Sequence, residues 1–338
     1  MFFKVRARIE VAVIKFLNAL SSPTPAISSL PLICRKSSNS DVRCGLLSDV
    51  SSVFLSHSFF SRSFLRAGHA KAFIRVWKVM EMCFQILSQG KLVTQRELFY
   101  KLLCDSPNYF SSQRDANRAV QDVVALLRCT RNSLGIIASS RGTIIGRLSI
   151  KNQEGDIVDC SGLGPAGYAI SGDLNLLSKL EFRSDARYII VVEKDAIFQR
   201  LAEDCLFNLV PCILITAKGY PDIATRNPAG LAILSTYKYG SIAMGLESYR
   251  YACNIKWLGL RKDDLQILPQ PAFINLKPRD LQIAKSLLSS KTLQEKYRAE
   301  LTAMVEMGHR VEIEALYFRG FNFLSQYIAT KIVKSDYI

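Results

Sequence analysis

Apolar residues recur at three- and four-residue steps through the first part of this chain, then give way to unbroken apolar runs. From Met1 to Leu20, Ile9, Val13, Phe16 and Leu20 share one stripe, which predicts an amphipathic helix. Lys4, Arg6, Arg8, Glu10 and Lys15 interrupt its apolar residues, so it makes a poor signal peptide. Residues 21–66 are rich in Ser and carry Pro23, Pro25 and Pro31, which predicts a loosely structured connection. A helical pattern resumes from Ala72 to Gly90, with Phe73, Val76, Trp77, Met80, Phe84 and Leu87 inward and Gly90 as the stop. Thr94 and Glu97 form a capping-box pattern for a helix to about Cys104, with Phe99, Leu102 and Leu103 inward. Another helix runs from near Ser112 to about Cys129 and turns Ala116, Val120, Val123, Val124 and Leu127 inward.

Leu134–Ala138 and Thr143–Ile150 read as two strands around the turn Ser139–Gly142. Three helices followed by a hairpin is the layout of a winged helix-turn-helix (CAP-like) domain. Further on, Tyr188–Val192 and Cys212–Thr216 are continuous apolar runs, as in strands buried on both faces. A helix of about Ala196 to Phe207 separates them, and strand, helix, strand predicts a parallel α/β sheet. Asn227–Gly230 opens a helix of about Leu231 to Tyr237, and the chain from Lys277 onward is mostly helical. The expected class is α/β plus winged helix. The expected division is 1–66 (helix and Ser-rich connection), 67–155 (winged-helix domain) and 156–338 (parallel α/β domain with a helical C-terminal part).

Charge adds a partner class. The 338 residues carry 44 basic and 29 acidic side chains, a net of +15, which suits a polyanion. The polar face of the helix from Ser112 presents Gln113, Arg114, Asn117, Arg118 and Gln121, which suit phosphates and base edges. Arg131, Arg141 and Arg147 would flank or decorate the wing; ordinary solvated charges are the alternative, and layout with placement favours DNA contact. Nine scattered cysteines with no Cys-x-x-Cys pair, and three histidines away from them, fit a reducing compartment and argue against zinc. Gly162-Leu163-Gly164-Pro165-Ala166-Gly167 matches a dinucleotide pattern, but no helix follows to receive a phosphate, so it is rejected. No Walker A sequence is present, so ATP would have to be handled by another subunit.

Two places could carry chemistry. Arg96 and Tyr100 lie four apart on a helix and share a face. A free tyrosine hydroxyl, with a pKa of about 10, is a poor nucleophile, and a nearby guanidinium would favour the phenolate and orient a phosphate. Glu193 ends the first buried strand, at the mouth of the sheet, where ligands bind in such folds. Its oxygens are the ligands magnesium prefers, although a salt bridge to Lys194 or Lys218 would serve a purely structural end.

Arg96-Glu97-Leu98-Phe99-Tyr100 resembles the nucleophile motif of the topoisomerase VI A-subunit family and its meiotic relatives. Val192-Glu193-Lys194 resembles the first acidic motif of the family's Toprim domain, and Lys218–Asp222 the segment after the next strand. Ala196–Leu201, Gly219–Arg226, Lys256–Arg261 and Glu312–Leu316 read like plant members, closest to their second paralogue. The resemblance covers the chain from about Arg6 to its end. It implies that Tyr100 attacks a backbone phosphodiester and stays joined to the 5′ end, with two subunits making a double-strand break. Tyrosine of one protomer would face the Mg2+ of the other, with Arg96 and Lys218 fixing the phosphate. The partners it implies are double-stranded DNA, an A-subunit paralogue and a topoisomerase VI B-like ATPase subunit. The setting it implies is nuclear and meiotic.

The chain departs from that family at one place. The second Toprim motif should be a buried strand ending in Asp-x-Asp or Asp-x-Asn before Pro. Here Asp222-Ile223-Ala224-Thr225-Arg226 joins directly to Asn227-Pro228, with Thr225 where the leading Asp belongs and Asn227 as the surviving ligand position. A helix and a strand, about 17–20 residues, are expected to be missing at 226/227. The chain as written is therefore expected to be weakly active or inactive, either as a non-catalytic DNA-binding subunit or as a non-productive isoform. A winged-helix transcription factor is a third reading, which leaves the second half unexplained.

Overall fold

The computed structural model describes residues 2–21, 29–33, 42–43, 46–47, 59–63, 67–137, 139–219, 225, 256–289 and 293–338. Backbone contacts divide the chain into two compact units, residues 1–41 with 48–139, and 42–47 with 140–338.

The first unit is built on four helices: α1 (Phe2–Leu20), α2 (Ala67–Ser88), α3 (Gln95–Asp105) and α4 (Gln113–Leu127). In α1 the packed stripe is Val5 and Ile9 with Ala12 and Phe16 beside them; Ile9 and Phe16 are as expected, whereas Val13 and Leu20 face solvent. Phe16 packs on Trp77 with ring centroids 4.8 Å apart, and Arg8 donates to the carbonyls of Leu127 and Arg128 at 3.0 and 2.9 Å. That guanidinium satisfies carbonyls that the end of α4 leaves open. Within 21–66 the described residues form strands that the composition does not announce. They contribute β1 (Ser29–Ile33), antiparallel to β4 (Phe59–Ser63), and the short pair β2 (Val42–Arg43) and β3 (Leu46–Leu47).

The expected wing hairpin does not form. β5 (Val93–Thr94) pairs in parallel with β6 (Ile136–Ile137), inside the first unit. The sequel to the turn instead joins the second unit as β7 (Thr143–Gly146) and β8 (Ser149–Lys151). Gly146, at φ +111°, separates those two strands; a Cβ there would strike the Cys212 carbonyl. Arg147, expected on the wing, donates to the Phe207 carbonyl at 2.9 Å and pairs with Asp185 at 2.9 Å.

In the second unit β8 continues into an antiparallel sheet with β9 (Ile157–Asp159) and β11 (Glu181–Arg183). The glycine-rich segment runs straight into β10 (Tyr168–Ala169), and a single helical turn, α5 (Leu174–Leu177), follows. The central sheet has the order β10, β7, β13 (Cys212–Thr216), β12 (Tyr188–Val192). β12 and β13 are parallel, with Tyr188 opposite Cys212 and Val192 opposite Thr216, connected by α6 (Asp195–Glu203) and α7 (Leu206–Leu209). This is the expected strand–helix–strand unit. β13 is buried throughout: Cys212 and Leu214 enter one core, and Ile213 and Ile215 enter the other. β12 departs from expectation, because Ile189, Ile190 and Val191 are only half-buried and, among the described residues, the strand has a partner on one side alone.

The C-terminal part supplies β14 (Ile274–Asn275) against β15 (His309–Arg310), and helices α8 (Pro278–Leu288), α9 (Glu295–Met307) and α10 (Phe323–Val333). An ionic cluster around the buried Lys331 ties α10 down: Lys331 reaches Asp264 at 2.8 Å and Asp336 at 2.7 Å, and Arg261 also pairs with Asp336.

Candidate functional site

The tyrosine half stands on α3. Thr94 accepts from the Glu97 amide at 3.1 Å, and the Glu97 carboxylate accepts from the Thr94 amide at 3.3 Å, so the expected capping box is present. Leu98 and Leu102 fill the core; Phe99 and Leu103, expected inward, are half-buried. Leu102 is inward as expected, and Leu98 rather than Phe99 joins it. That placement leaves Arg96, Tyr100 and Cys104 exposed at four-residue steps on one side of the helix. Tyr100 is 51% exposed, with its ring 5.4 Å from that of Phe99. The ring is therefore only partly used in packing.

Gln95, which the sequence reading passed over, fixes the start of α3. Its side-chain amide donates to Asn117 Oδ1 at 2.7 Å, and its side-chain carbonyl accepts from Arg131 Nη1 at 3.1 Å. Gln113 donates both to Asn117 Oδ1 at 2.8 Å and to the Gln95 carbonyl at 3.1 Å. Asn117 and Arg131 were expected at a nucleic-acid surface; both are half-buried members of this internal network. Arg114 and Arg118 are exposed on α4 as expected. No local pattern announces Gln95, because its partners lie far away in sequence.

Arg75 of α2 holds the start of α4. Its guanidinium pairs with Asp115 at 2.9 Å and donates to the Tyr109 carbonyl at 2.6 Å. Burial by itself would raise the Asp115 pKa, but hydrogen bonds from Ser111 and Ser112 and the Arg75 charge together hold it below the ordinary carboxylate value.

The carboxylate half is in the second unit. Glu193 follows the last residue of β12 and is half-buried; its carbonyl accepts from the Gly219 amide at 3.0 Å. Its neighbour Lys194 is drawn away, donating to Glu312 and Glu314 at 2.8 Å each. Burial raises the Glu193 pKa; Lys194 offsets part of the rise and Glu312 adds to it. A half-buried carboxylate left short of positive charge fits a hard cation. Among the described residues, no group of three or more His, Cys, Asp or Glu could hold a metal. Asn227 and the 226/227 junction lie outside the described residues. Thr225, in the leading-Asp position, is fully buried, and a Cβ on Gly142 would collide with it.

Lys218 sits in the left-handed region at φ +52°, its amide donating to Thr216 Oγ1 at 3.2 Å and its ammonium 3.5 Å from Asp195. Arg141 is exposed in this same unit. Glu312 and Glu314 were missed as individual residues, although the resembling stretch Glu312–Leu316 contains them both.

Comparison with known proteins finds two family models and several relatives. A model described as type IIB DNA topoisomerase matches residues 71–136. A model for the Toprim domain of Spo11 and the topoisomerase 6 A-subunit matches in two pieces, 188–227 and 226–332. The chain is 66% identical to Meiotic recombination protein SPO11-2 of Oryza sativa subsp. japonica over 358 positions, covering 99% of this chain and 93% of that one. It is 62% identical to SPO11-2 of Arabidopsis thaliana over 356 positions, with the same coverages. It is 34% identical to the A3 subunit of DNA topoisomerase 6 of Oryza sativa subsp. indica, covering 86% of this chain and 70% of that one.

Proposed function

Because the chain belongs to the topoisomerase 6 A-subunit/Spo11 family, we propose that it is built to cleave duplex DNA in meiotic recombination through Tyr100. The observation that carries this is Tyr100 itself, exposed on a capped helix with Arg96 one turn before it. Arg96 orients a backbone phosphate and stabilises its developing charge. The Tyr100 oxygen loses its proton, attacks the phosphorus and forms a phosphotyrosyl ester to the 5′ end. The bond to the 3′ oxygen breaks, and that oxygen leaves as a hydroxyl on taking a proton. One ester replaces another, so cleavage needs no external energy source. Glu193, with Asn227, would hold Mg2+, which would supply positive charge to the phosphate. Arg114 and Arg118 meet the DNA backbone from α4, in a helix-turn-helix arrangement whose wing is not the 134–150 hairpin, and Arg141 and Lys218 add positive charge. A second A-type subunit completes the double-strand break, a B-like ATPase subunit drives the complex, and the setting is the nucleus.

Tyr100→Phe removes only the nucleophilic oxygen. Covalent protein–DNA adducts, trapped by denaturant and counted by end-label, should fall by about 1,000-fold or more. Adducts at the wild-type level would overturn the assignment.

A second reading has its own support. The rice alignment has 358 positions against 338 residues here, so at least twenty positions of that relative have no counterpart in this chain. The Toprim match breaks at 226/227, where sequence logic puts a missing helix and strand. The chain as written is then a weakly active or non-catalytic isoform. Sequencing the meiotic transcript across the codons for Arg226 and Asn227 decides it: a dominant message with the extra codons makes this chain a truncated form, and a dominant message without them means the reduced metal site is real.

A further inference from the structure

Four side chains tie the start of α3 to α4 within the first unit, and their chemistry gives the network a direction. Arg131 carries donors only, so the Gln95 oxygen that meets its Nη1 at 3.1 Å is an acceptor. That leaves the other end of the Gln95 amide, Nε2, to donate to Asn117 at 2.7 Å. Gln113 Nε2 is likewise fixed as a donor. The Gln95 backbone carbonyl takes one of its protons at 3.1 Å, and Asn117 takes the other at 2.8 Å. Two donors converging on one atom identify it as Oδ1 and use both of its lone pairs. The Asn117 amide is therefore locked by its oxygen. Its nitrogen makes no hydrogen bond among the described residues, yet it is not sealed from solvent.

Asn117 stands on α4 three residues after Arg114 and one before Arg118, both exposed. Residues three and four apart share a helix face, so the free amide end belongs to the side of α4 that carries these guanidiniums. Helix capping does not require the network, because Thr94 and Glu97 close the start of α3 and Ser112 accepts from the Asp115 amide at the start of α4.

We infer that Arg131 and Gln95 are positioning residues, which hold the Asn117 amide nitrogen ready to donate to a DNA phosphate oxygen beside those met by Arg114 and Arg118. This deepens, and rests on, the reading of α4 as the DNA-facing helix. An Asn free to turn offers either end, and its oxygen repels a phosphate; locked, it offers donors only. Gln95 directly precedes Arg96, so the same amide ties the helix that holds the DNA to the helix that carries Tyr100.

The test is equilibrium binding of the full chain to a fluorescent end-labelled duplex, followed by anisotropy over a range of salt. Asn117→Ala should weaken binding by about 10-fold at fixed salt and leave the salt slope unchanged, because no charge is lost. Arg118→Ala should weaken binding and lower the slope by about one. Asn117→Asp keeps an acceptor for Gln95 and Gln113, and with it the fold, but removes the donor end; it should bind at least as weakly as Asn117→Ala. Gln95→Met changes no DNA-facing side chain. It should weaken binding by about 3-fold in the wild-type background and not at all beside Asn117→Ala. An equal effect of Gln95→Met in both backgrounds would mean a general shift of the helices and overturns the inference, as does wild-type affinity in Asn117→Asp. Weaker binding by Arg118→Ala with none by Asn117→Ala overturns the inference and leaves α4 facing DNA. No loss in either variant overturns both readings.

Discussion

Asp115 and Glu193 are both partly buried acids beside a basic residue, and the fold treats them in opposite ways. Around Asp115 two serines and Arg75 converge, and its charge is favoured. Around Glu193 the neighbouring ammonium is diverted to Glu312 and Glu314, and burial disfavours its charge. The first pattern is what a carboxylate holding two helices together requires. The second costs stability, and costs of that kind gather where a site awaits a ligand. The same contrast separates the two units. The helical unit satisfies its helix ends and presents Tyr100 from a fixed base, whereas the sheet unit ends at a half-exposed apolar strand beside a cavity.

The largest effect should come from the sheet unit's ionic cluster. Lys331→Met takes the ammonium from Asp264 and leaves Asp336 with Arg261 alone, which should cost about 2–3 kcal/mol. In urea melts followed at both units, that loss should appear in the sheet unit alone; a shared transition would mean that the two units unfold as one.

Asp115→Asn should cost about 1–2 kcal/mol at neutral pH, through the lost ion pair and weakened helix start. Because folding lowers this pKa, the stabilisation is present above the ordinary Asp value of about 3.9 and is lost as pH falls through the lower native value. The variant should therefore lose part of the wild-type decline in that acid window, as read by chemical melts at several pH values.

Glu193→Gln is the smaller, opposite case. Folding raises this pKa, so the charged form is a liability at neutral pH, relieved as pH falls through the raised native value towards about 4.3. The variant should gain stability, by less than about 1 kcal/mol because the carboxylate is half in solvent. A clear loss would show that Glu193 is a structural anchor rather than a ligand in waiting.

Much of the tyrosine half was legible because its signals are local. Thr94 and Glu97 are three residues apart, and the capping box they announce is present. The exposed Arg96–Tyr100 pair follows from a spacing of four. Leu102 was read correctly as inward, but Phe99 was chosen over Leu98, because both are apolar and only tertiary packing decides between them. Gln95 was illegible because what it holds, Asn117 and Arg131, is brought near only by folding. The wing failed on the same ground. Thr143–Gly146 is strand-forming by composition, but its partner is Cys212–Thr216, far along the chain. In the carboxylate half, strand, helix and strand were plain, yet an apolar run cannot say whether both of its neighbours exist. β12 reads as interior, yet among the described residues it pairs with β13 alone.

The central claim is that Tyr100 is ready and the metal half is incomplete. The most direct test measures magnesium-dependent covalent DNA adducts for the chain as written and for the chain restored at 226/227. The account predicts at least about 100-fold more adduct after restoration, with none above background in restored Tyr100→Phe. Equal adduct from both chains, or adduct that survives loss of the Tyr100 oxygen, would contradict it.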